Sequence, residues 1–169
     1  MKSQISNFLK FLLFGVIVFL LSWNPSYGQP QPPRPITVYN VKDINFGAFV
    51  AGLSGGTLIV YPNGSRSSTG DIYEINLGYQ FYPAIFEIDA NKGSNISILS
   101  GADAILTGSN GGTLTMHLGS SEPQSPFVTT ANPPGRTQVR IGGTLYVGNP
   151  QANPPGAYSG TFAVTFNQE

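Results

Sequence analysis

Gly156-Ala157-Tyr158-Ser159-Gly160-Thr161-Phe162-Ala163-Val164-Thr165-Phe166-Asn167 alternates from end to end. Tyr158, Phe162, Val164 and Phe166 share one parity, with Gly160 among them. Ser159, Thr161, Ala163, Thr165 and Asn167 share the other. Successive side chains of a strand point to opposite faces. One row therefore faces a core and the other faces water, as in an antiparallel sheet wetted on one side. The spacing predicts a strand over 157–167.

The same reading extends outward along the chain. Ala84, Phe86 and Ile88 oppose Glu87 and Asp89, Asn91-Lys92-Gly93-Ser94 can turn the chain, and Ile96 and Ile98 begin a return strand. Asn110-Gly111 predicts a type I′ turn, with positive φ at both central residues. It links Ala104-Ile105-Leu106 to a strand from Thr113, and Asn63-Gly64 gives a similar signal after Tyr61-Pro62. No window of helical length carries a 3.6-residue apolar period. Eight to ten short strands are expected, at about 36–41, 44–50, 56–62, 71–76, 83–90, 94–100, 103–107, 112–118, 137–148 and 157–167. ANPPG occurs at Ala131 to Gly135 and again at Ala152 to Gly156. Proline cannot donate to a ladder, so both copies are loops flanking strand 137–148. Many short strands with Gly/Pro turns imply an all-β sandwich or barrel.

The tetrapeptide GGTL recurs at Gly55-Gly56-Thr57-Leu58, Gly111-Gly112-Thr113-Leu114 and Gly142-Gly143-Thr144-Leu145. The unequal spacings exclude a repeat array, which would show one period. A phosphate cradle needs a glycine loop that opens a helix, whereas each copy opens onto strand residues. The first two copies supply a turn or bulge. The third lies inside strand 137–148, where Val139, Ile141, Gly143, Leu145 and Val147 share a parity. A mid-strand glycine marks a bulge or a close approach. The expectation is that an aromatic covers Gly143 or that the strand bends there.

The two ends bound the class. Lys2 and Lys10 precede the apolar run Phe11 to Leu21, and Ser26-Tyr27-Gly28 offers small residues at a cleavage site. This is the pattern of a signal peptide, with cleavage before Gln29. The apolar run is short for a transmembrane helix. No later stretch is apolar enough to span a bilayer, so the mature chain is expected to have no membrane span. Gln29 to Pro35 reads as a stiff proline-rich spacer, and 36–169 as one domain. The chain has no cysteine, which excludes disulfides. At about 140 residues the mature domain can bury a core without such staples. It keeps six of the eight basic residues and all eight acids, a formal charge of −2. A basic nucleic-acid face is therefore not available.

The ordered set Asn45-Phe46-Gly47-Ala48-Phe49, Gly56-Thr57-Leu58, Pro83-Ala84-Ile85-Phe86, Gly112-Thr113-Leu114-Thr115-Met116, Ile141-Gly142-Gly143-Thr144-Leu145 and Gly156 to Thr165 resembles one group. It is a domain of unknown function in secreted bacterial proteins, similar to spore coat protein U and, remotely, to fimbrial subunits. The resemblance covers about 37–167. It implies an immunoglobulin-like antiparallel β-sandwich exported through the inner membrane to the periplasm, the cell surface or beyond. It brings no catalytic residues. In the fimbrial relatives the C-terminal strand is recognised as an extended edge. Tyr158, Phe162, Val164 and Phe166 are thus the candidate edge-strand contacts with another copy or with an envelope partner.

The remaining chemistry is sparse. His117 is the only histidine, of opposite parity to Leu114, Met116 and Leu118. It is expected to face solvent, and no G-x-S-x-G elbow accompanies it. Glu87 and Asp89 share a strand face about 6–7 Å apart, within reach of a glycosidase pair, but are expected to be solvated. One histidine and no cysteine do not make a zinc site, and no calcium-loop spacing is present. No cofactor is expected. Asn63-Gly64-Ser65 and Asn95-Ile96-Ser97 fit the N-glycosylation triplet, which has no meaning in a bacterial protein of this kind. Tyr79-Gln80-Phe81-Tyr82-Pro83 concentrates aromatics, and Tyr79 and Tyr82 are candidate glycan-stacking residues. The leading expectation is a non-enzymatic structural or adhesion-type envelope protein assembling through edge strands. The alternative is a carbohydrate-binding module.

Overall fold

The computed structural model describes residues 34–169. The expected signal segment and most of the spacer lie outside the described residues. Thirteen strands appear in these: β1 Thr37–Lys42, β2 Asn45–Phe46, β3 Phe49–Val60, β4 Arg66–Glu74, β5 Phe81–Tyr82, β6 Ala84–Asp89, β7 Asn95–Ser100, β8 Ala104–Gly108, β9 Thr113–Glu122, β10 Phe127–Val128, β11 Thr137–Val147, β12 Tyr158–Ser159 and β13 Val164–Gln168. Four of these are two residues long. The other nine match the expected number, and no described residue is helical.

All named pairings are antiparallel. The large sheet runs β1-β6-β11-β9-β8-β12, with β3 and β4 branching from β11; β10-β7-β13 and β2-β5 form smaller sheets. The branch arises because β11 has two partners along one edge. Thr137 to Ile141 pair with β6, and Gly143 to Val147 pair with β3. Along the other edge β9 pairs from Arg140 to Tyr146, and the register shifts between Ile141 and Gly143, where Gly119 and Ser120 of β9 stand against Gly142 alone. A Cβ at Gly143 would stand 2.8 Å from Ile44 Cδ1 and 3.4 Å from Phe46 Cζ. Of the two expected alternatives the aromatic cover is present, and Phe46 supplies the ring.

The layers close on Leu58, Ile88, Ile96, Leu114, Met116, Val139 and Ile141, each at most 2% exposed. The Phe86 ring on β6 and the Phe166 ring on β13 meet at 5.3 Å, tilted by 60°, which joins the large sheet to the β7 sheet. The fold is an antiparallel β-sandwich.

Four local expectations change. The stretch 157–167 is not one strand. Tyr158-Ser159 pairs with β8 in the large sheet, and Val164 to Gln168 pairs with β7 in the other. Between them the chain crosses between layers at Gly160, where a Cβ would meet the Ile105 carbonyl oxygen 2.4 Å. The alternation survives because both layers face the same core. Strands 44–50 and 56–62 give way to the short β2 and to a long β3, irregular between Ala51 and Gly56. The expected 71–76 is the end of a longer β4, which starts at Arg66. In the β8–β9 hairpin the residues at positive φ are Gly111 (90°) and Gly112 (74°), and no described non-glycine residue has positive φ. The left-handed positions therefore fall on the two glycines, which lack a Cβ penalty, and not on Asn110. The first strand, finally, pairs in its own domain: β1 lies antiparallel to β6.

Candidate functional site

An elongated groove opens into the sandwich, with a volume of about 1000 Å³. Its floor is the core itself: Phe86, Leu106, Leu114, Met116, Leu145 and Val147. These are inward-facing positions of β6, β8, β9 and β11, so their chemistry follows from strand parity. The groove is apolar below and bordered by backbone at its rims.

One rim is the segment Asn40 to Ala51, the other Pro154 to Val164. Phe49, Val50 and Ala51 pair with β4 on one side only, since β3 meets β11 only from Gly56 onward. On the opposite rim residues 160–163 belong to no strand. The amides of Gly160, Thr161 and Phe162 donate to no backbone carbonyl among the described residues. Ala163 is held by one bond, which its carbonyl accepts from Gly101 at 2.9 Å. One strand edge and one segment outside any strand thus border an apolar slot with hydrogen-bonding groups unused. Unpaired edges are templates for another chain, and backbone pairing plus side-chain pockets is how an added strand is recognised.

Arg66 fixes the first rim. Its Nη1 donates to the Phe46 carbonyl at 2.7 Å and to the Ala48 carbonyl at 3.2 Å. Its Nε donates to Glu74 Oε2 at 3.1 Å, and its guanidinium lies 4.4 Å from the centre of the Phe81 ring. The second rim is fixed by Tyr158, whose hydroxyl donates to the Pro154 carbonyl at 2.7 Å. Asn110 Nδ2 donates to the Pro155 carbonyl at 2.7 Å.

The candidate edge residues fall in two groups. Phe162 and Val164 line the groove, as does Tyr158 at its end. Phe166 instead packs against Phe86. β13 pairs only with β7, and β12 only with β8, so both are sheet edges. Tyr79 stands at the rim, 69% exposed. The Tyr82 ring has Lys42 Nζ 3.6 Å from its centre, so one of its faces is occupied. Sequence reasoning missed Ile44, Phe49, Ala51 and Arg66. The Asn45-Phe46-Gly47 turn, with Gly47 at φ 70°, is the signal that the chain reverses beside them.

Elsewhere several titratable groups are paired. His117 is 55% exposed, as expected, and its Nδ1 lies 2.7 Å from Asp103 Oδ1. No serine hydroxyl is bonded to it among the described residues. Glu87 and Asp89 are not simply solvated. Arg136 Nη1 is 3.0 Å from Glu87 Oε2, and Arg34 Nη1 is 3.3 Å from Asp89 Oδ1. The first contact is a hydrogen bond, whereas the Asp89 oxygen is buried and accepts no aligned one. The bond to Glu87 raises the Arg136 guanidinium further above its ordinary range. The neighbouring Asp71 carboxylate likewise raises the exposed Tyr73 hydroxyl. Among the described residues no three or more His, Asp or Glu side chains cluster so as to hold a metal ion. No described helix is long and apolar enough to cross a membrane.

A family model described as "Domain of unknown function (DUF4402)" matches residues 36–167. No curated protein and no solved structure matches the chain.

Proposed function

The chain belongs to the DUF4402 family of domains of unknown function, and we propose that it is a non-enzymatic envelope protein that assembles by strand addition. It is exported, and the groove of one copy accepts an extended strand from a second copy. The observation that carries this reading is the apolar slot between the open edge at Phe49 to Ala51 and the unpaired backbone of residues 160–162. The donor is β1. All six of its residues are exposed, and it sits at the end of the large sheet with β6 as its one partner. Leaving its own edge uncovers little core. Val38 is 37% exposed there and gains burial in the groove of a neighbour.

The test is light scattering after size-exclusion chromatography on the chain from Gln29, at several concentrations. Oligomers that grow with concentration are expected. Thr161→Pro removes a donor that the domain itself does not use, so it should weaken association at least tenfold with little change in melting temperature. The chain has no cysteine, so Val38→Cys in one copy and Phe162→Cys in another give an unambiguous intermolecular crosslink. A strict monomer at high concentration, or crosslinking only within one chain, sinks the reading.

A further inference from the structure

The outer face of the large sheet carries a second surface, independent of the groove. The ladder registers place Thr69, Thr57, Tyr146, Thr115 and Ile105 side by side across β4, β3, β11, β9 and β8. In the next row Thr144 stands opposite His117, which is paired with Asp103. Tyr61 directly follows the end of β3, with its hydroxyl 3.1 Å from Ser67 Oγ. Tyr146 is 49% exposed, Tyr61 39% and Ile105 56%.

We propose that this face binds a neutral oligosaccharide through Tyr146 and Tyr61. The argument is chemical complementarity. A pyranose has an apolar C–H face and a rim of hydroxyls. Tyrosine offers a rigid amphipathic ring that meets the first. Threonine hydroxyls, each both donor and acceptor, meet the second. The rows contain no Lys, Arg or Glu, and their one acid, Asp103, is hydrogen-bonded to His117 at 2.7 Å. An anionic ligand finds no counter-charge here, and a neutral one leaves no buried charge unpaired. Tyr61, one residue past the end of β3, lies four residues on from Thr57, the partner of Tyr146. Strand rise and strand spacing put the two tyrosine positions roughly 14 Å apart. That span takes several linked rings, so one ligand can engage both platforms and affinity should grow with its length.

The experiment is calorimetric titration of the purified chain with mono-, di-, tetra- and hexasaccharides of glucose, mannose and N-acetylglucosamine, preceded by a glycan array that includes anionic glycans. A neutral ligand should bind, at least tenfold tighter as tetrasaccharide than as monosaccharide. Tyr146→Ala and Tyr61→Ala should each weaken the tetrasaccharide at least tenfold, with an unchanged melting curve. Tyr146→Phe keeps the ring and should retain binding within about threefold. Tyr79→Ala should bind like the parent. Absence of any neutral binder, binding to anionic glycans alone, or binding that survives Tyr146→Ala but is lost in Tyr79→Ala would each overturn the assignment.

Discussion

Gly56→Ala should destabilise the domain by about 3 kcal/mol or more, the cost of forcing atoms into a packed site with no room to relax. The φ at Gly56 is negative or extended, so the backbone itself tolerates alanine. Space does not. A Cβ there would be driven into the Thr69 carbonyl oxygen and to 3.1 Å from Gly70 Cα. Those atoms are backbone of the adjacent strand, across the Gly56–Gly70 pair of the ladder, so no side-chain rotation relieves the clash. β3 and β4 must separate locally, just where β3 begins to pair with β11. Gly64→Ala is the control. Gly64 has φ 86° and nothing within 4 Å of its would-be Cβ, so only conformational strain is paid, about 1 kcal/mol. Chemical denaturation of both variants measures the difference. If the two cost the same, close backbone approach is not why GGTL carries glycine at that position.

The role of GGTL was legible at Gly142-Gly143, because a glycine amid alternating apolar residues signals a close approach. Its cause was not legible. The ring that covers Gly143 comes from Phe46, nearly a hundred residues earlier. Similarly, the parity of Tyr158, Phe162, Val164 and Phe166 correctly gave the inward side. It could not show that the chain changes sheets at Gly160, because both layers bury the same parity against one core. Alternation reports which way a residue faces, not which strand lies beside it.

That limit also explains why the groove was invisible. A missing neighbour beside Phe49 to Ala51 leaves the side-chain pattern unchanged. It appears only when the ladder is closed and backbone groups remain unused. The Thr69–Thr57–Tyr146–Thr115 row was hidden in the same way, since each member is an ordinary outward residue until the register aligns them. Glu87 and Asp89 were readable as a carboxylate pair on one face. Their arginines were not, because Arg34 and Arg136 come from distant segments. Charge pairing of this kind is set by register and loop path, which sequence spacing does not fix.

Arg66→Ala should cost about 3 kcal/mol, because hydrogen bonds to a charged group are worth more than neutral ones and breaking a buried ion pair strands its partner. The Arg66 side chain is 6% exposed, whereas Glu74 is 33% exposed. Water can therefore rehydrate the carboxylate, which keeps the expected loss at the low end of the buried-pair range. The Phe46 and Ala48 carbonyls fare worse, since Arg66 Nη1 donates to both. The melting temperature should fall by about 10 °C for a domain of this size. Arg66→Lys should recover less than half, because an ammonium is a point charge without the planar fork that spans two carbonyls and a carboxylate. It also lacks the flat cation that lies over Phe81. The loss should be local before it is global. The Ile75 amide donates to the Ala48 carbonyl at 3.3 Å, so its hydrogen exchange should accelerate ahead of amides in β11. Because Ala48 adjoins the unused edge of Phe49 to Ala51, the same variant should weaken self-association through the groove while leaving oligosaccharide binding at Tyr146 intact. A melting temperature within about 2 °C of the parent would show that the rim holds without its arginine.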